Sequence, residues 1–191
     1  MVVRMVEDDD LERVGEETLE HAGKESFTPE EYERLKRAVF DESFRRLAVC
    51  DTSYFVLGKY DGGPREARLD LVAHELETSR EGTYAFLMKD VPDAWEFWPT
   101  KFAILAARAT FVVPVLEDSH GSHHWEAGNL DQPKYRPKVH VLKRDYETEA
   151  EEHARFSAMV SHFVEILDRD GRVYHWTTEM ELRERVHELP A

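Results

Sequence analysis

The sequence predicts an α/β fold, a flavodoxin-like open parallel sheet of about five strands with helices on both faces, preceded by a helical N-terminal extension. Short apolar runs recur at residues 54–57, 84–88, 111–116, 139–142 and 173–176. Segments with helical spacing separate them, and connections of that length require right-handed crossovers and therefore parallel strands. The run at 111–116 is apolar at successive positions, as expected of a central strand covered on both faces. A chain of 191 residues suits one main core, so the division is a helical extension over 1–50 and an α/β domain over 51–191.

Residues 7–26 are charged and weakly periodic, with Leu11, Val14 and Leu19 as their large apolar positions, which supports only a marginal helix. Phe27-Thr28-Pro29-Glu30-Glu31 is a helix start: Thr28 is the cap, Pro29 suits the first turn, and Glu31 completes a capping box. Tyr32, Leu35, Val39, Phe40, Phe44 and Leu47 follow at helical spacing. The first strand, Tyr54-Phe55-Val56-Leu57, closes at Gly58, and Asp61-Gly62-Gly63-Pro64 leads into a helix carrying Leu69, Val72 and Leu76 and ending near Gly82.

The second strand is Tyr84-Ala85-Phe86-Leu87-Met88, after which Pro92-Asp93 is expected to open a helix. Trp95, Phe97, Trp98, Phe102, Ile104, Leu105 and Ala109 make that helix apolar on more than one face. Such a helix must be covered, by the core or by a second copy of the chain in a homo-oligomer. The third strand, 111–116, contains Pro114, which removes one ladder donor. Val139-His140-Val141-Leu142 reads as the fourth strand, and residues 148–167 as one long helix with Phe156, Met159, Val160, Phe163 and Ile166 inward. Val173-Tyr174-His175-Trp176 and a short charged helix to Leu189 complete the pattern.

Composition narrows the function classes. Asp and Glu outnumber Lys and Arg 40 to 25, a formal charge of −15, which repels nucleic-acid backbones and anionic lipid headgroups. Neither nucleic acid nor a membrane is expected as a partner, and no apolar run approaches a membrane span. The same acidic surface would hold water in concentrated salt, pointing to a halophilic source. Met1 to Val6 run into Glu7-Asp8-Asp9-Asp10 without an apolar core, so no secretory signal is read and a cytoplasmic location is expected. Cys50 is the single cysteine, which excludes an internal disulfide and thiolate zinc sites.

Ligands of an open parallel sheet gather beyond the carboxyl ends of its strands, where strand order reverses. The loops that qualify are residues 58–63, 89–93 and 117–128. The third concentrates Glu117, Asp118, Ser119, His120, His123, His124, Trp125 and Glu126 before Gly128. Strand, acidic pair, glycine and a helix opening on Glu-x-Gly resemble the nucleoside 2-deoxyribosyltransferases and the related TIR-type NAD hydrolases. The resemblance covers roughly residues 52–146 and includes the strand, glycine and aromatic of the first loop, here Gly58 and Tyr60. It implies that Glu126 is the catalytic carboxylate and Asp118 the acid at the strand end. Lys59 stands where the transferases have proline, and His123-His124-Trp125 replaces their small residues, so transferase and hydrolase both stay open.

Breaking an N-glycosidic bond creates an oxocarbenium-like centre that a carboxylate stabilises or captures. Glu126 fits that role, with Asp118 or a neighbouring histidine protonating the departing base. Gly58, Tyr60, Asp61, Asp93, Ser119 and Trp125 are the expected substrate contacts, Tyr60 and Trp125 by stacking. The implied substrate is a nucleoside, a nucleotide or NAD, with no bound cofactor or metal. A second reading is a non-catalytic nucleotide-sensing or protein-interaction module of the same fold. A third is a metal-dependent hydrolase using His120, His123 and His124, although adjacent histidines diverge on a helix where paired ligands sit three or four apart. The first loop carries neither a dinucleotide glycine fingerprint nor a P-loop ending.

Overall fold

A computed structural model describes residues 28–39, 42–92, 96–118 and 128–191. Strands β1 (Thr52–Leu57), β2 (Thr83–Leu87), β3 (Phe111–Leu116), β4 (Val141–Arg144) and β5 (Val173–Trp176) form one sheet in the order β2-β1-β3-β4-β5. Every pairing is parallel. This is the flavodoxin-like arrangement, and strand order reverses between β1 and β3.

Helices α1 (Pro29–Val39) and α2 (Glu42–Val49) precede the sheet. The connections and C-terminus carry α3 (Pro64–Ser79), α4 (Trp98–Arg108), α5 (Glu149–Arg155), α6 (Ala158–Arg169) and α7 (Glu179–Glu188). Side chains alternate along β1: Tyr54 and Val56 join Leu69, Val72 and Leu76 of α3 and Leu182 and Val186 of α7 on one face. Phe55 and Leu57 join Phe102 and Ile104 of α4 and Val160 and Phe163 of α6 on the other. Two apolar layers around one sheet follow from that period of two, and each fully buried aliphatic or aromatic side chain contributes about 1.5–3 kcal/mol. No helix among the described residues is long and apolar enough to cross a membrane.

The capping box at α1 forms as its sequence requires, the Thr28 amide donating to Glu31 Oε2 at 2.9 Å and the Glu31 amide to Thr28 Oγ1 at 3.2 Å. The boundaries of three other elements depart from expectation. Helix α4 starts at Trp98, where Phe97 takes a left-handed conformation (φ 53°). A helix running from Pro92 would have placed Pro99 in its interior, where it lacks a donor and clashes with the preceding turn; as observed, Pro99 lies in the first turn. The long helix expected over 148–167 is two helices, because Ser157 caps α6 by accepting from the Val160 amide at 3.4 Å while Phe156 turns into the core.

Strand β4 lies two residues later than expected. Val139 makes an isolated bridge to Val112, and regular pairing resumes at Val115 with Leu142, past Pro114. The His140 amide donates to the Val112 carbonyl at 3.0 Å, so alternate residues of β3 face β4 and Pro114 interrupts that ladder with its missing N–H.

Candidate functional site

The pairing of β1 with β3 ends at Leu57 and Pro114, and beyond it Arg65 and Leu69 of α3 line a cleft with the last residues of β3 and the acids that follow. Gly58 ends β1 because the chain passes close beneath α3: a Cβ there would lie 2.5 Å from Leu69 Cδ2. Beyond it Tyr60 is half-buried against both apolar layers, and its hydroxyl accepts from the Met88 amide at 2.9 Å, tying the loop to the end of β2. Asp61 is exposed and closes a turn, Oδ1 accepting from the Gly63 amide at 3.0 Å. Lys89, after β2, reaches Glu66 at 3.0 Å and Asp70 at 2.7 Å on α3, completing the brace. The hydrogen bond from Lys89 and the Gly62 amide hold the Glu66 carboxyl below its ordinary pKa.

Strand β3 delivers two acids to this cleft, Glu117 at 5% exposure and Asp118 at 4%. Burial at that level is uncommon for a carboxylate without partners, and both have guanidinium partners. Arg65 of α3 pairs with Asp118. Arg68, one turn further along α3, donates to Glu117 through Nε at 2.8 Å and Nη2 at 2.7 Å. Arg144, at the end of β4, donates to Glu117 Oε2 at 3.0 Å. The Tyr146 hydroxyl donates to the Glu117 carbonyl.

Trp176, at the end of β5, underlies this cluster, with the Arg68 and Arg144 guanidinium carbons 5.8 Å and 5.4 Å from its ring. It is 2% exposed, and its indole nitrogen has no hydrogen-bond partner among the described residues. Burial raises the Tyr146 hydroxyl above its ordinary pKa against the opposing pull of Arg155, Arg144 and Arg65. The cations therefore crowd one small region.

The cleft, small and open to solvent with a cavity volume of about 10 Å³, lies over the acids and is lined by Lys59, Arg65, Leu69, Val115, Glu117 and Asp118. Of the sequence-predicted residues, Asp118 lines this cleft and Gly58 lies at the adjoining strand end. Tyr60 and Asp61 occupy the same loop without lining the cleft, and their polar groups serve the turn and the brace. Glu126, Asp93, Ser119 and Trp125 lie outside the described residues, as do His120, His123 and His124. Sequence reasoning missed Arg65, Arg68, Arg144 and Trp176. The available signal was two arginines three apart on α3, next to the loop that an acidic pair enters.

The arrangement is a buried, charge-paired floor at the reversal of strand order, where a small ligand can meet both guanidinium donors and carboxylate acceptors. A family model described as a family of unknown function (DUF8170) matches residues 16–163. No curated protein and no solved structure matches.

Proposed function

We propose, for a chain that belongs to this family of unknown function, that the cleft between β1 and β3 binds a nucleoside, a nucleotide or NAD and that an N-glycosidic bond is cleaved or transferred there. The observation that carries the reading is Asp118, a carboxylate at 4% exposure that lines a cleft at the strand-order reversal. Glu126 follows Asp118 in the sequence, outside the described residues, and is the second acid of the reading.

In this reaction the C–N bond breaks with its electron pair going to the base. The anomeric carbon becomes cationic, and Glu126 stabilises it or forms a C–O bond to it. Water or an acceptor base then completes hydrolysis or transfer. A neutral nucleobase takes up a proton as the bond breaks, from Asp118 or a neighbouring histidine, with Asp118 placed by its pair with Arg65. A positively charged nicotinamide becomes neutral on taking the electron pair and leaves without an added proton. A cytoplasmic location and a halophilic surface belong to this same reading.

Base release tests it. The purified full chain is incubated with nucleosides, nucleotides and NAD, in dilute buffer and in concentrated salt, and free base is measured by chromatography. Release above the uncatalysed rate is expected, and its absence from every substrate removes the enzymatic proposal. One observation favours a second reading, a nucleotide-sensing module without turnover: Glu117 and Asp118 are both engaged by arginines, as in a site built to bind. Ligand binding by calorimetry with no base released distinguishes it.

A further inference from the structure

The chain carries a formal charge of −15, yet the carboxyl end of its sheet gathers cations. Lys59, Arg65, Arg68 and Arg144 surround the carboxylates Glu117 and Asp118. We infer that this cleft takes the phosphate groups of an anionic ligand, with Lys59 and Arg65 as direct contacts and with the Glu117 charge offset by Arg68 and Arg144. The inference rests on the reading that the cleft binds a nucleoside or nucleotide, and it narrows that ligand to the phosphorylated class.

The steps are physical. An acidic surface repels phosphates at long range, so a site for one must supply its own local positive field. Two guanidiniums on the single Glu117 carboxylate leave the floor of the cleft positive. Their cost of burial is lowered by the Trp176 ring beneath them. Lys59 lines the cleft half-buried and makes no ion pair among the described residues. The guanidinium of Arg65 carries more donors than the Asp118 carboxylate occupies, and its planar fork matches phosphate oxygens. Among the described residues a divalent cation would meet four positive charges against two carboxylates, an unfavourable balance.

Calorimetry on the full chain at matched ionic strength, with inorganic pyrophosphate, ADP and adenosine as probes, tests the inference. ADP is expected to bind at least about tenfold more tightly than adenosine, and pyrophosphate to compete with ADP. Lys59→Ala should weaken ADP by about tenfold while leaving adenosine unchanged. The double variant Arg65→Gln/Asp118→Asn, which removes the pair without stranding a charge, should narrow the ADP-to-adenosine ratio further. Unfolding temperatures of both variants establish that they fold. Equal binding of ADP and adenosine, no binding of either anion, or an unchanged ratio in the folded Lys59→Ala variant overturns the inference. Preference for ADP without base release would remove the N-glycosidic reading alone. Base release from neutral nucleosides with no preference for ADP would remove the phosphate assignment alone.

Discussion

Arg68 grips Glu117 at both carboxylate oxygens, Nε to Oε1 at 2.8 Å and Nη2 to Oε2 at 2.7 Å. The pair joins the second turn of α3 to the end of β3, and its side chains are only 15% and 6% exposed. Removing one partner of a buried pair leaves the other charge desolvated. Arg68→Ala should therefore lower stability by about 2–4 kcal/mol, Arg144 retaining part of the interaction. Adding Glu117→Gln should recover part of that loss, because no bare charge remains. Urea unfolding of the two single variants and the double variant measures both effects.

Gly58 is set by packing against α3. Gly58→Ala places a Cβ 2.5 Å from Leu69 Cδ2 and should cost about 1–3 kcal/mol by overpacking. In combination with Leu69→Ala the cost should be smaller than the sum of the singles, since the clash disappears with the leucine methyls. A thermodynamic cycle from denaturant unfolding reads the coupling.

Much of the fold was legible because its strands are short apolar runs buried on both faces. Tyr54 to Leu57 and Phe111 to Leu116 could hardly be anything else. Boundaries were lost where one residue overrode periodicity: Pro99 delayed α4, Ser157 divided the helix after Thr148, and Pro114 displaced the β3–β4 ladder. The position of Asp118 at the carboxyl end of β3 was legible from the strand pattern. Its guanidinium neighbours were not, since Arg68 and Glu117 are 49 positions apart and periodicity within a segment says nothing about pairs between segments.

His140 supplies a pH test. Burial, with the Arg172 charge adding to it, pushes its pKa down to about 4, and its Nδ1 lies 3.3 Å from the Tyr174 hydroxyl beside the Phe111 ring. The unfolded chain binds this proton near the ordinary value of about 6.5. Between the two values the unfolded state holds more protons, so stability rises with pH across that window and is lost as pH falls. After allowance for solvent screening the contribution is roughly 1–2 kcal/mol. His140→Phe should flatten the difference between denaturant midpoints at pH 7 and pH 5.

Salt should stabilise the protein. A formal charge of −15 makes the compact state repel itself, and added potassium chloride screens that repulsion. The unfolding temperature should rise with salt concentration beyond the range in which an ordinary near-neutral domain levels off, as scanning calorimetry would show.

The most direct measurement is the rate of base release by the wild-type chain, Asp118→Asn and Glu126→Gln, with ADP affinity measured on the same samples. The account predicts that Glu126→Gln lowers release by at least about a hundredfold while ADP affinity stays within about threefold of wild type, and that Asp118→Asn lowers release to a smaller extent. Release by Glu126→Gln at the wild-type rate would contradict it.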